Sequence, residues 1–136
     1  MKYDTNLASE YFVLSALYRK GFEAFITLGN KKTIDIIVKI DRKPVTIDVK
    51  GIQGTTSFPV DNFNHTVKHA DHFIVFISFL NRISEIDSMP EIYIVPANAV
   101  KNLTYQNPKG NRRVVNLSIL RKEGITYRDN WDILKR

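Results

Sequence analysis

Asp35, Asp48 and Lys50 are the residues of this chain whose types and spacing can do chemistry. They fall in one stretch, residues 33–53, with the sequence TIDIIVKIDRKPVTIDVKGIQ. Apolar and polar residues alternate on both sides of Asp41-Arg42-Lys43-Pro44, the pattern of a β-hairpin with those four residues as its loop. A four-residue loop pairs Ile40 with Val45. The register then sets Val38 opposite Ile47, Ile36 opposite Val49, Ile34 opposite Gly51 and Asp35 opposite Lys50. One face is β-branched almost throughout, and the other carries Asp35, Asp48 and Lys50. In that register the aspartates are diagonal neighbours with Cα atoms about 7–8 Å apart, near enough for their side chains to converge. A slip of one residue would break up the apolar face. Two acids and a lysine on a hydrophobic strand pair cost free energy unless they pair with one another or bind a cation. Two readings follow: a cross-strand Asp35–Lys50 ion pair on a solvated face, or a metal site with a lysine beside it.

The elements that must position these residues are legible in outline. Asp4 to Asn6 offer N-cap side chains, and a helix is expected from there to Lys20, ended by Gly21. Leu7, Tyr11, Leu14 and Tyr18 form its apolar stripe, widened by Val13 and Leu17, with Glu10 at the border of the buried side and Tyr11 in the core. Residues 22–28 read as a short strand and 29–32 as a turn. After the hairpin, Gly51, Gly54 and residues 55–59 read as a loop close to the acids, and 62–70 as a short helix. Residues 72–80, HFIVFISFL, read as a strand buried on both faces. A polar connection over 81–90, a strand over 91–96, a helix over 97–105 and a loop over 106–111 follow. Residues 112–120 are ambiguous between a strand and a mixed segment, and 127–136 read as a short terminal helix. This order implies one α/β domain over 1–136, with a mixed central sheet flanked by helices.

The chain has 136 residues, the size of one compact domain, and 43% hydrophobic residues, enough for a core. It has no cysteine, which excludes disulfides, thiolate metal sites and a cysteine nucleophile and suits a reducing cytoplasm. No apolar run reaches the length of a membrane span, and the opening MKYDTNLASEYF lacks the apolar centre of a signal peptide. A cytoplasmic protein without a membrane partner is therefore expected. The net charge is +6, with basic residues at Lys31-Lys32, Arg42-Lys43, Lys109 with Arg112-Arg113, and Arg121-Lys122. That distribution favours a polyanion such as nucleic acid, against the plainer reading of a soluble basic protein. His65, His69 and His72 have a spacing that one helical face could share, but His72 opens the next strand and no acid completes an HExxH pattern, so a zinc site is not expected. There is no Walker loop, no GxGxxG and no nucleophile elbow.

A helix bearing Glu10, a short strand, Ile34-Asp35 at the start of the next and Asp48-Val49-Lys50 on the third resemble the PD-(D/E)XK nuclease superfamily, nearest to its Holliday junction resolvase-like members. The resemblance spans roughly residues 5–80, where the superfamily core runs helix, three antiparallel strands, helix, strand. The proline of the motif is replaced by Ile34, and residues 81–136 have no functional counterpart. The resemblance implies a restriction endonuclease-like fold and a metal-dependent DNA endonuclease that hydrolyses phosphodiester bonds with Mg2+, Mn2+ being able to substitute. By the same resemblance Asp35 and Asp48 are the metal-binding acids and the Val49 carbonyl is a further ligand. Lys50 orients or helps deprotonate the attacking water, Glu10 holds a water or a second ion, and Gln53 positions the loop or touches the nucleic acid. Magnesium held by one or two carboxylates suits this chemistry. Lys31, Lys32, Arg42 and Lys43, flanking the hairpin, are the expected nucleic-acid contacts. A homodimer, or a partner protein that supplies specificity, fits a chain with little room for a recognition domain. The alternative is a catalytically inactive nucleic-acid-binding or interaction module on the same fold.

Overall fold

Helix α1 (Thr5–Arg19) is capped as its sequence predicts. Asp4 Oδ1 accepts the Leu7 N–H at 3.0 Å, and Gly21, at φ +86°, reverses the chain after it. A computed structural model describes residues 2–27, 34–61 and 71–135. The helix expected over 62–70, with His65 and His69, lies outside the described residues, as do Lys31 and Lys32.

Strands β1 (Glu23–Ile26), β2 (Ile36–Ile40) and β3 (Lys43–Ile52) follow α1, then the short β4 (Ser57–Pro59), β5 (His72–Ser78) and β6 (Glu91–Pro96). The chain continues through α2 (Ala97–Leu103), β7 (Thr104–Gln106), β8 (Arg113–Asn116) and α3 (Leu117–Glu123). Two 3₁₀ turns, Ile125–Tyr127 and Trp131–Lys135, come last. The main sheet has the order β1-β2-β3-β5-β6, with β3 and β5 parallel and every other pair antiparallel. Strand β5 is buried at every residue, as its unbroken apolar run requires. A small second sheet, β4-β8-β7, lies in the layer on one face.

The two faces of the main sheet carry separate cores. Val45 and Ile47 of β3 join Val13 and Leu17 of α1, Trp131 and Leu134 on one. Ile74 and Phe76 of β5 meet Phe58, Val100, Val115, Leu117 and Leu120 on the other. Side chains alternate across a strand, so Asp48 and Lys50 stand on this second face, beside Ile74 and Phe76, their register partners on β5.

Several expectations need correction. The hairpin turn is the two-residue Asp41-Arg42, with Asp41 at φ +51°, and Ile40 pairs with Lys43. The register is thus displaced by two residues. The displacement keeps every side chain on its face, because the strand period is two. The stripe of α1 is also rotated. Its buried residues are Ser9, Glu10, Val13 and Leu17, whereas Leu7, Tyr11 and Tyr18 are about half exposed, at 48%, 54% and 54%. The cause is the close crossing of α1 over Gly51 of β3, where any Cβ would overlap the Ser9 hydroxyl. Small Ser9, not Leu7, is turned to the sheet there. Residues 104 and 105 leave the expected helix and, with 106 of the expected loop, pair as β7, 57–59 of the expected loop pair as β4, and the terminal helix is broken into 3₁₀ turns.

Candidate active site

Strand β2 begins directly after the first of the acids. Asp35 precedes Ile36, and its backbone is held from both sides: its N–H donates to the Ile47 carbonyl at 2.8 Å and its carbonyl accepts the Thr27 N–H at 2.9 Å. Its side chain takes up the next backbone donor of β3, Oδ2 accepting the Val49 N–H at 2.7 Å. A carboxylate thus substitutes for the strand carbonyl that pairing would have supplied. The Val49 carbonyl leaves β3 on the same edge as its N–H, so it opens beside the Asp35 carboxylate.

Asp35 lies one step beyond the Ile36–Ile47 pair, across from Asp48, so the corrected register makes the two acids direct neighbours. The expected diagonal relation and the Asp35–Lys50 pairing do not hold. Lys50 instead sits 3.4 Å from Asp48, on its own strand two residues on. Both side chains are largely enclosed, with about a fifth of each exposed. Burial, and then the hydrogen-bonded Asp35 carboxyl beside it, push the Asp48 carboxyl up to about 7, while Lys50 pulls it the other way without prevailing. Two carboxyl groups this close and this enclosed cannot both ionise cheaply. A divalent cation relieves that conflict, and two carboxylates with a main-chain carbonyl form the hard oxygen set that magnesium prefers. The residues present fit such an ion.

The remaining expected site residues are distributed around this trio. Glu10 is buried on α1, which covers the opposite sheet face. It does not join Asp35 and Asp48 in a three-ligand group, and no such group of acids and imidazoles occurs among the described residues. Gln53 acts as a tether, its Nε2 donating to Thr5 Oγ1 at 3.0 Å while its carbonyl accepts the Asn81 N–H at 2.6 Å. It binds the end of β3 to the start of α1. Arg42 and Lys43 are exposed at the hairpin tip, the far end of β3, roughly 17–26 Å from Asp48 and Lys50 at 3.3 Å per residue. His72 opens β5, with Thr46 Oγ1 at 2.7 Å from its Nδ1. Sequence reasoning passes over Ser9 and Gly51, which set how closely α1 backs the site strand. The available signal was a glycine inside a strand, which marks close backbone approach.

No family model matches the chain, and no curated protein is similar to it in sequence. Solved structures are similar in fold. A bacterial homing endonuclease, I-Ssp6803I, superposes with a TM-score of 0.60 over 99% of this chain and 93% of its own, at 10% identity. Hjc, a Holliday junction resolvase from the archaeal hyperthermophile Archaeoglobus fulgidus, superposes with a TM-score of 0.55 over 84% of this chain and 85% of its own, at 15% identity. The mixed five-stranded sheet with its flanking helices is the restriction endonuclease-like fold that these neighbours share.

Proposed function

We propose that this chain is a divalent-metal-dependent DNA endonuclease. The observation that carries this is the convergence of Asp35, Asp48 and Lys50 at the start of β2, with the Asp48 carboxyl raised by burial and by its neighbour. Asp35 and Asp48, with the Val49 carbonyl, would hold magnesium or manganese. The ion would supply Lewis acidity toward the phosphodiester and offset the charge of the acids. The chain's own residues do the rest. Asp35 is fixed by its hydrogen bond from the Val49 N–H. Lys50 Nζ holds the attacking water and donates to the phosphate oxygen on which charge builds. The water oxygen forms the new bond to phosphorus as the bond to the leaving oxygen breaks; the water's proton is lost to solvent, and the leaving oxygen, which keeps the bonding pair, takes a proton up from solvent. Gln53 keeps α1 and the end of β3 in place. A homodimer would set two such sites against the two strands of a duplex.

The test is incubation with supercoiled, linear and four-way-junction DNA, with and without manganese. Cleavage that needs the ion and vanishes in Lys50→Ala is the expected result. DNA binding with no cleavage of any substrate would favour the inactive module instead, and cleavage by Lys50→Ala at the parental rate would remove Lys50 from the chemistry.

A further inference from the structure

The positive excess of this chain is confined to one segment. Between Ile92 and Lys122 there are six basic residues (Lys101, Lys109, Arg112, Arg113, Arg121 and Lys122) and no acid. The whole chain has 20 basic and 14 acidic residues, so the remainder is balanced at 14 of each, and the net +6 resides in this segment alone. Arg121 is spent on Glu91, which it grips through two 2.9 Å hydrogen bonds. Arg113 is fastened to Asp61, its N–H donating to Oδ1 at 2.7 Å and its guanidinium to the carbonyl at 2.9 Å.

Of the four that remain, Lys101 lies exposed on α2 and Lys122 on α3, and Lys109 and Arg112 are carried out into solvent by the β7–β8 hairpin. Tyr105 to Arg112 are exposed without interruption, a run of eight, and the next longest run among the described residues is four. The hairpin tip is fixed at its base, since Arg113 pairs with Gln106 across the ribbon and is anchored to Asp61 behind it. It presents Lys109 and Arg112 with the amide side chains of Gln106 and Asn111 and no acid among them, while Asn107 Oδ1 accepts the Lys109 N–H at 3.0 Å and closes the tip. Protecting an edge strand needs only a lysine or a short strand, less than is built here.

The ribbon also belongs to the layer on the active-site face. Val115 of β8 pairs with Phe58 of β4, and the Phe58 ring packs edge-on at 5.1 Å against Phe76, the register partner of Lys50. We infer that the β7–β8 ribbon binds duplex DNA, with Lys109 and Arg112 on phosphates and the amide side chains of its tip turned to base edges. This rests on the proposed action of the chain on DNA. A two-stranded ribbon, its strands about 4.8 Å apart, enters a major groove about 12 Å wide, and asparagine and glutamine pair with adenine there. It places the recognition surface in the part of the chain outside the nuclease core resemblance, and not at the hairpin tip carrying Arg42 and Lys43.

The test is binding of a labelled 30-base-pair duplex in chelator, over a series of salt concentrations, for the full chain and two doubly reversed variants. Lys109→Glu with Arg112→Glu should weaken binding at least about tenfold and flatten the log–log salt slope by about 1 for each phosphate that is no longer neutralised. Arg19→Glu with Lys20→Glu, the same change of charge at the far end of α1, should leave that slope unaltered. Circular dichroism melts establish that both variants are folded, and Lys109→Gln with Arg112→Gln repeats the weakening without introduced acids. Equal weakening by the two reversed pairs would show a mere net-charge effect and overturn the inference. So would parental binding by the ribbon variants, and in that case metal-dependent nicking by the parent leaves the endonuclease reading standing. A parent that neither binds duplex nor nicks it overturns both.

Discussion

Two charged clusters in this protein contain a buried acid, and they have opposite characters. Glu91, at the start of β6, is held by Arg121 through both carboxylate oxygens and accepts the Tyr93 hydroxyl at 2.6 Å. The Arg121 hydrogen bonds hold its carboxyl below the usual range even though burial works against them. Tyr93, buried and donating to that anion, is pushed up to about 12, first by burial. Every charge there has a counterpart. At Asp48 the same burial wins, because the Asp35 carboxyl adds to it and Lys50, at 3.4 Å, does not offset the two. The Glu91 cluster is a finished structural fastening between α3 and the sheet. The Asp48 cluster brings two carboxyl groups together in an enclosed place, and such crowding of like charge is how a cation or phosphate-handling site is built.

The largest effect that separates the two clusters is catalytic. Asp48→Asn keeps the strand shape and removes one hard anionic ligand, and should lower metal-dependent nicking by about two to three orders of magnitude. Measured by filter binding in chelator, its DNA affinity should be unchanged or tighter, since one charge that repels the phosphate has gone. Arg121→Ala, by contrast, should leave nicking per folded molecule intact. Its cost is stability, about 1–2 kcal/mol by denaturant titration, the lower range for a charge-assisted pair whose arginine is half exposed. If Arg121→Ala were as inactive as Asp48→Asn while fully folded, the division between fastening and site would be wrong. Gly51→Ala should cost a comparable 1–3 kcal/mol or so through overlap with Ser9, and Ser9→Gly in the same chain should recover part of it.

The smallest effect is the pH signature of each acid. The ordinary Asp48 value of 3.8 rises to about 7 on folding, so the folded state holds the extra proton between those values. Without metal, its contribution to stability is complete below about 4 and is lost as pH rises toward 7. Glu91 is shifted the other way, so its contribution is complete above its ordinary 4.5 and is lost as pH falls through its lower folded value. Thermal melts across pH should therefore show the neutral-side decline flattened in Asp48→Asn and the acid-side decline flattened in Arg121→Ala.

The site was legible in the sequence to the extent that it depends on alternation. A period of two puts Asp48 and Lys50 on one face and brings Asp35 near them whichever even register is used. It cannot tell a four-residue loop from the two-residue Asp41-Arg42 turn, so the partners across the strands were displaced by two, and the direct apposition of Asp35 and Asp48 was hidden. Helix α1 misled for another reason. Hydrophobic spacing selects Leu7, Tyr11, Leu14 and Tyr18, but the crossing at Gly51 demands a small residue, and Glu10 is buried with Ser9. The second layer was least legible, because β4 and β7 are three residues long and too short to show a period. Its charge, however, is plain in the sequence once acids are counted against bases between residues 92 and 122.

The most direct measurement is calorimetric titration of manganese into the folded parent and the folded Asp48→Asn variant, without DNA. The parent should take up the ion and the variant should bind it at least about tenfold more weakly, as expected when a carboxylate ligand becomes an amide. Equal uptake by both proteins, or none by a parent that still nicks DNA, would contradict a cation site formed by Asp35 and Asp48.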